Sequence, residues 1–284
     1  MNDGNAIGVV VVSYASASTI ETCLQRLLDA EGVARVVVVD NASPDDTVLR
    51  VQALAEREAR VQLVCNADNR GFGAACNQGA SALAQHWVAF VNPDAYVERD
   101  TLSRLVAHAR QRPDAGLLGV ELVDASGHVD VASRRLLPTF AELLRGAGEG
   151  GERLAVGRDP ARVLQSVEAV SGALMLLPHA LFVSLGGFDE GYRLHAEDLD
   201  LCRRVRDAGC EVLVANDVQV LHVRGVSSRA RPLWVEWHKH RGLWRYLRRF
   251  DPALRSWPVR VFAATAITLR FVLVAPRAWW RAQR

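Results

Sequence analysis

Residues 7–40 run IGVVVVSYASASTIETCLQRLLDAEGVARVVVVD. The stretch opens on Ile7–Ser13 (IGVVVVS) and closes on Val36–Asp40 (VVVVD), two unbroken apolar runs. β-Branched runs without polar alternation mark strands covered on both faces. Between them Ile20, Leu24, Leu27 and Leu28 share one helical face, and Ser18 with Glu21 has the spacing of a capping box. Further on, Ser43-Pro44-Asp45-Asp46 predicts a helix start with Ser43 as cap and acids in the first turn. Val61–Cys65 reads as a strand, Gly71–Leu83 as a helix and Trp87–Asn92 as a strand. Strand and helix alternate with short links, which predicts a mostly parallel, doubly wound α/β sheet.

Ligands of such sheets bind beyond the carboxyl ends of the strands. Tyr14, Asp40, Asn41 and Asp94 fall at or just past those ends, so four polar side chains gather at one rim. The rest of the chain is less regular. Glu142–Asp159 is rich in glycine and charge and reads as a mobile surface loop. Ser171–Leu177 has strand character, Gly186–Asp189 is a turn, and Leu199–Ala208 is a helix led by Glu197 and Asp198. Glu211–Asn216 and Val218–His222 return to strand character.

Composition bounds the class. The 284 residues are 50% hydrophobic and 23% charged, enough for a large core and unlike a disordered, collagenous or disulfide-rich chain. Five widely spaced cysteines (Cys23, Cys65, Cys76, Cys202, Cys210) form no CxxC pair, which predicts reduced thiols and a cytoplasmic setting. No basic stretch leads into an apolar run at the start, so no signal peptide is expected. The net charge of +2 hides an asymmetry. From Arg224 onward fourteen Arg and Lys face only Glu236 and Asp251, a net of +12 that leaves −10 for the remainder. Six of the seven tryptophans also lie there, which predicts a tail that meets an anionic, apolar surface. A membrane suits that apolar content better than a nucleic acid does.

Four motifs carry chemistry. Asn92-Pro93-Asp94 follows a buried strand and is either a plain turn or an oxygen donor set for a divalent cation that also binds phosphates. Glu197-Asp198 with Asp200 crowds three carboxylates at a helix start. They act as caps, or one of them takes up a raised pKa suited to general base work. His222 closes a hydrophobic run and gains weight as a partner for Asp94. Gly71-x-Gly73-x-x-Cys76 nearly matches a dinucleotide fingerprint, but it follows the third strand instead of the first, so a nicotinamide-dependent dehydrogenase is set aside.

In this order the pieces resemble the family 2 inverting glycosyltransferases of GT-A fold, in their bacterial rhamnosyltransferase-like branch. The matching elements are VVVSY (10–14), VVVDNAS (37–43), NRGFGAACNQG (69–79), VNPDA (91–95), SGA (171–173), GGFDE (186–190), EDLDLCR (197–203) and His222 with Gly225 and Ser227. The resemblance implies that Asp40 meets the nucleotide base beside Ser13 and Tyr14, with Asn41 on the same rim. Arg70 and Gly71 would face ribose or phosphates. Asp94 would bind a divalent cation, Mg2+ or Mn2+, with His222 as a further ligand. Asn92 stands where the family's metal motif has its first Asp, which makes the site less negative. Gly172, Ala173 and Glu197 would line the acceptor side, and Asp198 would be the general base. The QxxRW motif of processive synthases is missing, so one sugar per encounter is expected. The implied donor is dTDP-L-rhamnose first and a UDP-hexose second, with a saccharide or polyprenyl-diphosphate-linked acceptor. A non-catalytic sugar-nucleotide-binding regulator is the alternative.

The expected division is a catalytic domain over 1–228 and an amphipathic helical tail over 229–284. On a wheel of Leu233–Phe250, Leu233, Trp237, Leu243, Trp244, Leu247 and Phe250 share an arc, with Arg241, Arg245 and Arg249 opposite. Val259–Val274 is apolar but carries Arg260 and Arg270 and runs into Pro276, so it reads as too short to span and as lying in the interface. The expected location is the inner face of the cell membrane. The alternative is that these helices pack on the catalytic domain or join two copies in a homodimer.

Overall fold

The strands, in chain order, are Ile7–Ser13 (β1), Val33–Asp40 (β2), Val61–Cys65 (β3), Trp87–Val91 (β4), Ala95–Tyr96 (β5), Ala115–Val123 (β6), Leu164–Val167 (β7), Leu174–Pro178 (β8) and Glu211–His222 (β9). The helices are Ile20–Asp29 (α1), Thr47–Ala55 (α2), Phe72–Ser81 (α3), Thr101–Arg110 (α4), Phe140–Arg145 (α5), His179–Ser184 (α6), Glu197–Asp207 (α7), Pro232–Phe250 (α8) and Trp257–Ala282 (α9). This computed structural model describes residues 3–145, 153–223 and 232–282. Gly225, Ser227 and the expected boundary at 228 lie outside the described residues.

The strands form one sheet in the order β3-β2-β1-β4-β8-β6-β9-β5, with β7 paired to β9. The first four pair in parallel, as their buried runs predict. Beyond β4 the sheet is mixed: β8 runs antiparallel to β4 and β6, β5 and β7 run antiparallel to β9, and β6 with β9 is parallel. The expectation of a mostly parallel sheet therefore holds for one half only. Side chains alternate across the sheet. Val9 and Val11 join one core with α1, α2 and α4, and Val10 and Val12 join the other with α3, α6 and α7.

Several local expectations change. Ser18 does not cap α1, which starts at Ile20 behind Thr19 with no side-chain cap. Ser43 does not open α2, which starts at Thr47, because its hydroxyl is taken by Asp40. The presumed loop at 142–159 contains the end of α5 and a bridge from Ala155 to Arg135, and its residues 146–152 lie outside the described ones. The two late strands are one, β9, with a register shift that absorbs the break near Asp217.

The tail departs most from the wheel. Val235, His238, Gly242, Tyr246 and Leu247 face inward, while Leu233 and Trp237 are 44% and 50% exposed. Tyr246 and Leu247 enter the second core, and Arg245 and Arg249 turn to the body to pair with Asp189 instead of standing free for lipid. Pro276 does not end α9. Trp257–Pro276 is thus twenty residues, long and apolar enough by length and composition to cross a membrane. One side of α9 is nonetheless buried, through Ala263, Ile267 and Ala275.

Candidate active site

The rim of β1 and β2 is built around Asp40. Its carboxylate is buried and accepts from the Ser13 hydroxyl at 2.8 Å, the Ser43 hydroxyl at 2.5 Å and the Ser43 backbone N–H at 2.8 Å. Three internal donors leave it little free capacity, so it ties the two loops together. Both loops turn through left-handed alanines, Ala15 at φ 51° and Ala42 at φ 61°. Such backbone costs about 1–2 kcal/mol per residue and persists only where bonds like these hold it. Next to them Asn41 donates to the Gly71 carbonyl at 3.2 Å and accepts from Asn66 at 2.9 Å. Gly71 has φ 92°, and a Cβ there would lie 2.8 Å from the Arg193 carbonyl oxygen, so only glycine fits. Tyr14 is half-buried and Arg70 exposed on this rim.

The end of β4 delivers Asn92-Pro93-Asp94. The Asn92 N–H donates to the Ala173 carbonyl at 2.9 Å. The two-residue ladder of β5 on β9 sets Ala95 opposite His222, and the Val223 N–H donates to the Asp94 carbonyl. His222 Nε2 consequently lies 3.2 Å from Asp94 Oδ1, with both side chains largely buried. Adjacent ligands of an octahedral ion with bonds of about 2.1 Å stand about 3 Å apart, so this pair fits a hard divalent cation. No cluster of three His, Cys, Asp or Glu occurs among the described residues.

The third element is the start of α7. His195 and Ala196 are both left-handed, at φ 65° and 72°, and this turn aims Glu197 and Asp198. Helix α8 backs the turn: a Cβ on Gly242 would lie 2.6 Å from the His195 carbonyl oxygen. The clamp is ionic as well. Arg245 and Arg249 bind Asp189, and Asp200, fully buried, takes Arg204, Arg249 and the Tyr192 hydroxyl. Asp200 is therefore structural.

The crowded carboxylates separate as a pair should, with the roles set by their surroundings. Burial, with Asp198 alongside, pushes Glu197 up to about 8, so it carries a proton at neutral pH. Burial would raise Asp198 too, but the Arg135 guanidinium at 2.5 Å and the Leu199 N–H hold it below the usual carboxylate range. The raised member is thus Glu197, and Asp198 is the charged one.

Gly172 joins the parts. A Cβ on it would lie 3.5 Å from the Asp198 Cβ, and its neighbour Ala173 holds the Asn92 N–H. Asp198 is thereby set beside Gly172, whose neighbour Ala173 bonds the strand end that carries Asn92 and Asp94. Sequence reasoning missed Arg135, Ser43 and Asn66. Ser43 stood in a matched motif, whereas nothing local marks Arg135 or Asn66.

Known proteins are similar to this chain in sequence and in fold. Residues 8–147 match the family model described as glycosyl transferase family 2. An N-acetylglucosaminyl-diphospho-decaprenol L-rhamnosyltransferase of Mycobacterium tuberculosis (strain H37Rv) is 28% identical over 254 residues, covering 80% of this chain and 79% of that protein. The rhamnosyltransferase WbbL of Escherichia coli (strain K12) is 22% identical, covering 85% of this chain and 92% of its own. Among solved structures, the mannosyltransferase PcManGT of Pyrobaculum calidifontis, in complex with GDP-Man and Mn2+, superposes with a TM-score of 0.62 at 22% identity. It covers 96% of this chain and 72% of its own. At that identity the likeness concerns the fold, which is GT-A-like.

Proposed function

Since this chain is a glycosyltransferase with a family 2 domain across residues 8–147 and relatives named rhamnosyltransferases, we propose that it transfers a single sugar with inversion from a nucleoside-diphosphate donor. The first-choice donor is dTDP-L-rhamnose and the second a UDP-hexose. The acceptor is a saccharide carried on a polyprenyl diphosphate, in keeping with the substrate named for the mycobacterial relative. The observation that carries the reading is the connected strand-end frame: a charged carboxylate, Asp198, packs beside Gly172, and the adjoining Ala173 bonds Asn92 of the segment that delivers Asp94 to His222.

The residues act as follows. Asp198 takes the proton of the acceptor hydroxyl as that oxygen attacks the anomeric carbon. The bond from that carbon to the diphosphate oxygen breaks on the opposite face, its electron pair leaving with the phosphate, so the configuration inverts. Glu197, kept protonated, adds no charge to repel the diphosphate or compete for the proton. Asp94 and His222 would hold a divalent cation, which supplies positive charge against the departing diphosphate. Ser13, Tyr14 and Asn41 would border the base and ribose, with Asp40 fixing their loops, and Arg70 and Gly71 would face the phosphates. Gly172, Ala173 and Glu197 would floor the acceptor side. Screening nucleotide sugars with Mg2+ or Mn2+ and a short-chain N-acetylglucosaminyl-diphospho-polyprenol, and reading released nucleoside diphosphate, tests this. Release from dTDP-L-rhamnose that requires the acceptor is expected; release from UDP-hexoses alone would replace the donor.

The tail places the enzyme at its acceptor. Residues 1–228 act as the catalytic unit, and 229–284 as a basic appendage whose first helix is pinned by Arg245 and Arg249. Val261, Leu269, Val272 and Leu273 of α9 are each more than half exposed. A helix with one side bound to a folded domain cannot be ringed by lipid. Helix α9 therefore lies in the interface at the inner face of the membrane, with Trp279 and Trp280 at headgroup depth. Changing Val261, Leu269, Val272 and Leu273 to Ser should abolish sedimentation with anionic vesicles at low salt and leave the melting temperature unchanged. Equal sedimentation of the variant would overturn the role of this face in membrane binding.

A further inference from the structure

We propose that Arg135 is a positioning residue of the transfer step: it keeps Asp198 a charged, aimed carboxylate before the acceptor arrives. The inference rests on the reading of Asp198 as the base and adds a residue to it. Arg135 lies in the segment between β6 and α5, with no reactive neighbour in sequence.

Its backbone is clamped from two sides. The Arg135 N–H donates to the Ala169 carbonyl and the Ala169 N–H donates back, both at 2.9 Å. On the other side Arg135 bridges Ala155, with Leu136 donating to Leu154 and Val156 to Arg134. The side chain is 18% exposed, and its Nη2 donates both to the Val170 carbonyl at 2.6 Å and to Asp198 Oδ2. Asp198 Oδ1 accepts from the Leu199 N–H at 2.8 Å. With one donor behind each oxygen, the plane of the carboxylate is fixed, and its remaining lone pairs stay free for an incoming hydroxyl.

The charges around Asp198 make Arg135 decisive. The groups facing it are Glu197 and His195 at the start of α7, Cys202 one turn along that helix, and Arg135. Glu236 and Lys239 of α8 act on His195 behind them. Burial favours a proton on Asp198, Glu197 is itself protonated and brings no opposing charge, and His195, pushed down to about 4, is neutral at working pH. Arg135 thus supplies the standing positive charge. Without it Asp198 would hold a proton nearer neutral pH and could not accept another. During transfer the acceptor proton passes to Asp198, and Arg135 keeps its own throughout.

The test is the pH dependence of turnover for wild type, Arg135→Met and Arg135→Lys. The probes are dTDP-L-rhamnose and the short-chain N-acetylglucosaminyl-diphospho-polyprenol. Arg135→Met should lower kcat about a hundredfold at neutral pH and move the acid limb of the profile up by about one unit or more. KM for the donor should stay within about threefold, because Arg135 does not border the diphosphate site. Arg135→Lys keeps the charge, so its acid limb should stay near wild type. A lysine head cannot hold Val170 and Asp198 in the same geometry, so its kcat should fall about tenfold. An acid limb in Arg135→Met at the wild-type position, or a loss confined to donor KM, would overturn the proposal. If Arg135→Met fails to fold by circular dichroism, Arg135→Lys decides alone: full kcat overturns it, and a tenfold loss with an unmoved limb supports it. Asp198→Asn in parallel separates the two levels. An active Asp198→Asn removes the base reading itself, while an inactive one beside an unshifted Arg135→Met removes only the role of Arg135.

Discussion

Asp198→Asn is expected to lower turnover by about a thousandfold, within the range for a lost general base, and to leave donor binding unchanged. The amide keeps the volume of the carboxylate, but its single oxygen can accept from Arg135 or from the Leu199 N–H and not from both, so circular dichroism must accompany the assay to show that the start of α7 holds its shape. What it loses is the ability to take a proton at the moment of attack. The expected signature is a fall in kcat with unaltered titration of the nucleoside diphosphate by calorimetry, since Asp198 bonds Arg135 and the Leu199 N–H and is no partner of Asp94 or His222 among the described contacts. A variant with full turnover would show that Asp198 is not the base.

Asp94→Ala should have the second largest effect, and of a different kind. Asp94 supplies the only carboxylate of the pair with His222, so its removal should weaken binding of dTDP and abolish any dependence of that binding on Mg2+ or Mn2+. Turnover should fall about a hundredfold or more, as for loss of charge stabilisation on a leaving group. His222→Ala should show a milder form of both defects, because a carboxylate remains. Calorimetric titrations of wild type with and without EDTA settle the premise. Identical curves would mean that Asp94 and His222 hold no cation, leaving their 3.2 Å contact a structural hydrogen bond.

Much of the parallel half of the sheet is legible in the sequence. Strands β1, β2 and β4 are buried on both faces, and only continuous apolar runs can satisfy that, so the composition of each segment declares its place. Strand β5 could not be read, being two residues long and held only by β9. The direction of β8 was equally hidden. An apolar run such as LMLLP is the same whether its neighbours run with it or against it.

The site divides in the same way. Asp94, Asp198 and His222 sit in short patterns whose chemistry is local, and the fold sets Asp94 against His222. Arg135 is separated from Asp198 by 63 residues and is brought to it by backbone bridges to Ala169 and Ala155. The helical wheel of α8 grouped Leu243, Trp244, Leu247 and Phe250, which pack towards the core, but missed the arginines and the first turn, for a related reason. A wheel sorts side chains against uniform surroundings, but the surroundings of α8 include Asp189, Asp200 and the left-handed turn at His195. Those partners draw two arginines towards the protein and require a glycine at the contact. The sequence by itself determined which segments must be buried and which side chains carry reactive groups, because burial and acidity belong to residues and their near neighbours. Only the tertiary structure decided which carboxylate keeps its proton and which way the tail's charges turn, because both depend on charges contributed by distant segments at a few ångströms.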